Sequence, residues 1–153
     1  MDKPASTSRG RRRAARILVG AVSAVTGVGA LAADFVVPAT ARQHMRNPRW
    51  PGHAKFHDAQ YIVMSGLLGA LGVGLVTSRA GDRDRNLLAA AAVVSTPWLG
   101  MFGATLFPGT VVIDEEFAET DATILGLNGN LVVAGASLTT LAAAVALARA
   151  PRL

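Results

Sequence analysis

The chain has 153 residues, 51% of them apolar and only 16% charged, whereas a soluble domain of this size carries about 25% charged residues. Its net charge of +5 does not read as a nucleic-acid surface, because the basic residues flank apolar runs and form no continuous stripe interleaved with aromatics. Cysteine is absent, which excludes disulfides and thiolate metal sites.

The first 16 residues hold Lys3, Arg9, Arg11, Arg12, Arg13 and Arg16 and read as a disordered cytoplasmic tail that orients the chain or attracts anionic membrane lipid. Four apolar segments follow, about 17–37, 59–78, 87–107 and 123–148, before a short cytoplasmic tail at 149–153. Each suffices to cross a hydrocarbon core about 30 Å thick. Backbone groups in hydrocarbon must be satisfied within the segment, so the segments are predicted to be helices. The expected fold is all-α: one domain, an integral membrane four-helix bundle, with a structured extracytoplasmic loop after the first helix.

Pro97 lies inside the third segment and should bend it or free a carbonyl. Small residues recur at helix-contact spacing: Gly66, Ala70 and Gly74, with Gly69 and Gly72 alongside, then Gly100 with Ala104 and Asn130 with Ala134. They predict close packing within one bundle, with homo-oligomerisation through the same glycine-rich faces as the alternative. With the N-terminus in the cytoplasm of a bacterium, eleven of the fifteen basic residues lie inside its plasma membrane, Arg79, Arg83, Arg85, Arg149 and Arg152 included. Both termini are then cytoplasmic. A competing reading takes Ala30-Leu31-Ala32 as a signal-peptide cleavage site, although the apolar run is long for a signal peptide and continues through Phe35-Val36-Val37.

In this topology two loops share the outer face, and their charges are opposite. Residues 38–58 hold His44, His53 and His57 with Arg42, Arg46, Arg49, Lys55 and Trp50; residues 108–122 hold Asp114, Glu115, Glu116, Glu119 and Asp121 and no base. His53 and His57 are four apart, so a helix starting near Pro51 places both on one face, a spacing that suits a divalent metal with His44 or a carboxylate added. Metal-free acid–base chemistry is the second reading, with His53 or His57 as base and Glu115 or Glu116 as acid or orienter. The third is a histidine-pinned cap, stiffened by Pro48 and Pro51, with Trp50 at the headgroup level.

Asp34 lies about one turn from the outer end of the first segment, as a functional acid or an interfacial partner of Arg42 or Arg46. Asn128 and Asn130 are placed to bond between helices or to line a polar cavity with Asp34, His44 and Trp50. No phosphate-cradling loop, dinucleotide fingerprint or nucleophile elbow occurs, so no nucleotide cofactor is expected.

The stretch Asn47-Pro48-Arg49-Trp50-Pro51-Gly52-His53-Ala54-Lys55-Phe56-His57, with Leu106-Phe107-Pro108-Gly109-Thr110, resembles a family of small four-helix membrane proteins of bacteria and fungi, a domain of unknown function. The resemblance rests on N-P-x-W-P-x-H-A-[KR]-F-H, covers most of the chain and implies a multi-pass membrane protein without supplying an activity. A looser similarity, of architecture only, is to membrane isomerases of the emopamil-binding type; the acids expected in those helices are not found here. The residues therefore point to a small membrane enzyme or binding protein acting on a lipophilic small molecule. The alternative is a non-catalytic scaffold or partner subunit whose loops dock another protein.

Overall fold

Helix starts and stops follow from local chemistry. In the computed structural model, which describes residues 4–121 and 123–150, α1 (Pro4–Leu31) runs into a π-helical segment, Ala32–Val36. After it come α2 (Pro38–Gln43), α3 (Gly52–Thr77), α4 (Arg83–Ala104) and α5 (Gly129–Arg149). A 3₁₀ turn, Glu115–Phe117, and a hairpin of β1 (Thr123–Ile124) and β2 (Leu127–Asn128) lie between α4 and α5.

Two boundaries differ from the sequence expectation, each for a physical reason. The basic segment read as a disordered tail is helical from Pro4. Its arginines are good helix formers; Arg12 pairs with Asp84, and Arg16 donates to the Val76 carbonyl at the end of α3. α3 begins at Gly52, after Pro51 in extended backbone, in agreement with a helix starting near Pro51, so that His53, Lys55, His57 and Asp58 lie in turns ahead of the apolar run. The last long helix starts at Gly129, because residues 123–128 pair antiparallel, Thr123 with Asn128 and Ile124 with Leu127. The two turn residues, Leu125 (φ 53°) and Gly126 (φ 77°), both have the left-handed backbone that such tight hairpins require. Asn128 then caps α5, its Oδ1 accepting from the N–H groups of Asn130 (3.0 Å) and Leu131 (3.3 Å).

α4 starts on Asp82, whose Oδ1 accepts from the N–H groups of Asp84 (2.8 Å) and Arg85 (3.1 Å) and whose carboxyl those bonds hold below the ordinary carboxylate value. Pro97 does not interrupt α4. The carbonyl it deprives of a donor, that of Val93, accepts the Thr96 hydroxyl at 2.7 Å.

The four long helices form a ring: α1 against α3 and α5, and α4 against α3 and α5, with α1 also touching α4. The shared core is built of small and medium residues, among them Ala15, Val19, Leu87, Ala90, Val94, Ala134 and Ala144, with Trp98 the largest. Outward faces are just as apolar: Leu67, Leu71, Val63 and Leu99 are exposed, and no more than 33% of any of the four most apolar windows is buried. All four helices are long and apolar enough to cross a membrane.

The tightest contact joins α1 to α3. A Cβ on Gly69 would lie 2.6 Å from the Ser23 carbonyl and overlap the Gly27 backbone, and one on Gly72 would lie 2.6 Å from Ser23 Oγ. The buried row of α3 is therefore Ile62, Ser65, Gly69, Gly72 and Val76, while Ala70 and Gly74 of the predicted step-of-four row are exposed. Backbone cannot yield as a side chain does. Gly69→Val should therefore cost about 1–3 kcal/mol, whereas Gly74→Val, with open space around it, should cost far less. Unfolding of the two variants in detergent measures the difference; equal destabilisation would remove this contact from the account.

Candidate functional site

At the end of the bundle away from the arginines of α1, the chain must turn from a long helix into a loop with its polar groups satisfied. Pro38 has no N–H, so the π ladder that links Val37 N–H to the Ala32 carbonyl (2.9 Å) cannot continue to Ala33. The Thr40 hydroxyl donates to the Ala33 carbonyl instead. Within this segment lies Asp34, only 5% exposed. Its partner is neither Arg42 nor Arg46, the predicted alternatives: Asp34 Oδ1 lies 2.6 Å from His44 Nδ1, while Arg46 donates to the Phe35 carbonyl at 2.7 Å. π segments inside helices often mark functional positions, and this one carries a buried acid.

His44 ends α2 and is held by more than Asp34. The Trp50 ring lies 5.4 Å from its own, centroid to centroid. Asn47, 2% exposed, donates its backbone N–H to the His44 carbonyl at 2.9 Å and accepts from the Arg49 N–H at 2.8 Å. The Asn47 amide donates to Glu116 Oε1 at 3.1 Å, and Arg49 forms an ion pair with the same carboxylate. Glu116, its side chain 23% exposed, thus ties the acidic loop to the basic one. The predicted attraction between the loops runs through this residue. Glu115 is exposed.

Beneath the cap is a cavity of about 310 Å³ reached by all four long helices. Asp34, His44, Asp58, Tyr61 and Ser65 give it a polar side; Val25, Met101 and Val133 give it an apolar one. Trp98 Nε1 donates to Thr26 Oγ1 at 3.0 Å, a buried side-chain bond between α4 and α1 among the residues that line it. Two lining atoms, Asp58 Oδ2 and Ser65 Oγ, are buried with no hydrogen-bond partner among the described residues. Asn130 sits at the rim. Adjoining the cavity through Tyr61, Ser65, Pro97 and Met101 is an apolar groove of about 420 Å³ between α3 and α4, where Gly100 leaves open space.

The structure brings together Asp34, His44 and Asn130 of the predicted site residues, and packs Trp50 against His44. His53 and His57 share a face of α3 as their spacing requires, with Nε2 atoms 3.1 Å apart, but both are exposed and neither lines the cavity. No group of three potential metal ligands gathers among the described residues. Asn128 is engaged as the α5 cap and donates to Asp121 Oδ2 at 2.9 Å. Asp58, Tyr61, Ser65, Thr26 and Trp98 join the site without having been singled out. For the three on α3 the signal was helical phase: 61 and 65 follow Asp58 at steps of three and four, on one face of the helix.

The molecule is thus an all-α bundle with four apolar helices, holding a histidine–carboxylate pair over a half-polar cavity. Residues 17–151 match the family of unknown function DUF6640, and the chain belongs to that family. No curated protein and no solved structure matches it.

The His44 ring is pushed above its ordinary value of 6.5 chiefly by the hydrogen bond to Asp34, helped by the charges of Asp34, Asp58 and Asp114 and opposed by burial. A group whose pKa rises on folding stabilises the fold fully below its unfolded value and loses that contribution as pH climbs through the folded one. Stability should therefore fall as pH rises above 6.5, with a smaller fall in Asp34→Asn. Unfolding midpoints across that range in detergent check this; an unchanged slope in the variant would contradict it.

Proposed function

We propose that the chain is a four-span integral protein of a bacterial plasma membrane, both termini cytoplasmic, that takes up a lipophilic molecule from the bilayer and acts on its polar end. Supporting that orientation, positively charged residues concentrate at the α1 start and α3–α4 connection, as on the cytoplasmic side of multi-span proteins. The histidine cap and its cavity then lie at the outer interface. An amphiphile's head meets Asp34, His44, Asp58 and Ser65, while its hydrocarbon part follows the groove between α3 and α4.

The observation that carries this reading is the pair of buried, unpartnered atoms, Asp58 Oδ2 and Ser65 Oγ, on one cavity wall. Buried polar atoms without partners are uncommon and costly, at about 1–3 kcal/mol each. A ligand hydroxyl or carbonyl would supply what they lack. Asp34 engages His44 Nδ1, which fixes the ring and leaves Nε2 as the atom to exchange a proton with the bound molecule. This suits isomerisation, cyclisation or hydrolysis, in which one proton is given and one retaken.

The test is mass spectrometry of amphiphiles that co-purify with the protein in a neutral detergent. Wild type and Glu115→Gln should retain the same species. Retention should drop roughly tenfold or more in Asp58→Ala, which loses a polar contact, and in Gly100→Leu, which fills the groove. A wild type that retains nothing, or variants that retain as much as wild type, would overturn the reading and favour a scaffold whose loops dock another protein.

A further inference from the structure

A second cavity lies at the opposite end of the bundle and shares no residue with the first. It is a cleft of about 740 Å³ between the start of α1 and the α3–α4 connection. Arg9, Arg12, Arg13 and Arg16 line one side, at the 0, 3, 4 and 7 spacing of a single helix face; Arg79 and Arg83 line the other. Asp84 is the one carboxylate among the described residues that lines it. Charges that merely orient a chain need only lie in its connecting segments. Here a helix face and a connection more than sixty residues away in sequence converge on one space.

Two of the six guanidiniums have structural work. Arg12 pairs with Asp84, and Arg16 donates to the Val76 carbonyl in the last turn of α3. Arg9, Arg13, Arg79 and Arg83 form no salt bridge among the described residues. Like charges brought together in this way repel unless an anion sits among them. The inner surface is apolar, with Ile17, Val73, Val76 and Leu87. Guanidinium forks match the oxygens of a phosphate two at a time.

We infer that this cleft is a phosphate-binding site, taking the phosphate of an anionic phospholipid headgroup or a soluble phosphate anion. The inference stands apart from the proposed role of the polar cavity. A phospholipid would use both parts of the cleft, its phosphate among the arginines and the upper part of its chains on the apolar surface. A soluble phosphate would use the arginines alone.

Native mass spectrometry of the full chain in neutral detergent tests this by titration with phosphatidylglycerol and, separately, phosphatidylcholine; equilibrium dialysis with inorganic phosphate forms the second arm. Phosphatidylglycerol should bind roughly tenfold or more tightly than phosphatidylcholine, and Arg79→Gln/Arg83→Gln should lose about that factor. The same loss is expected in Arg9→Gln/Arg13→Gln, whereas Arg149→Gln, basic but outside the cleft, should match wild type. Binding of phosphatidylglycerol alone identifies the occupant as a lipid headgroup; binding of inorganic phosphate with the same dependence on the arginines identifies a soluble anion. Equal binding of the two lipids, with no inorganic phosphate bound, would overturn the inference. So would double variants as competent as wild type, or a loss in Arg149→Gln equal to theirs. The Arg79/Arg83 pair lies outside the helix core, so its unfolding midpoint separates lost binding from lost folding.

Discussion

A carboxylate buried near the end of an apolar helix must be paired, and the pairing of Asp34 with His44 organises everything at that end of the molecule. Removing one partner of a buried pair costs about 3–5 kcal/mol, a large part of the roughly 5–15 kcal/mol that holds a domain folded. The chain therefore has to bring residue 44 back over residue 34. Pro38 ends the π ladder, α2 spans only six residues before His44, and Thr40 answers the carbonyl left open by the proline. With His44 in place, Asn47 is carried inward and Glu116 of the other loop closes on it. The cap is a consequence of one acid's need for a partner.

The space under the cap has a separate origin. α1 and α3 approach closely at Gly27, Gly69 and Gly72, whereas α4 meets α1 at that level through a bulky ring, Trp98, held to Thr26. α3 thus lies backbone to backbone against α1, while α4 stands off by the width of an indole, and the cavity is lined where these helices and α5 meet. Two buried serines differ there: Ser23 satisfies its hydroxyl on the preceding turn, donating to the Val19 carbonyl at 2.7 Å, and Ser65, which lines the cavity, does not. The same chain thus has a polar cavity at one end and a cleft of arginines at the other, joined by a core of alanine and valine.

The four helices were legible because apolar length is a strong signal that survives errors of several residues at each end. Their ends were less so. A run of residues 123–128 looks like helix by hydropathy, yet Leu125-Gly126 folds it into a hairpin whose exposed Leu125, 98% accessible, carries a left-handed φ that few leucines adopt. The basic start of α1 was hidden for the opposite reason: its helicity depends on Asp84 and the Val76 carbonyl, partners far away in sequence. At the site, convergence of Asp34, His44 and Asn130 on one end followed from topology alone. The sharper local pattern, His53 and His57, gave the right helix face and drew attention to its exposed side. Asp58 was visible in that window, but only the phase of α3 relative to its neighbours turns it, Tyr61 and Ser65 inward.

The hydrogen bond from Asp34 couples the protonation of His44, at the cavity wall, to its buried partner. Histidine resonances of isotope-labelled protein, assigned by His44→Gln and followed through pH, test it directly. His44 should titrate above 6.5 in the wild type and shift downward in Asp34→Asn, where the bond that raises it is weakened. A His44 titration that is the same in wild type and Asp34→Asn would show that the two do not act together, and the account of the cap and the cavity would fail with it.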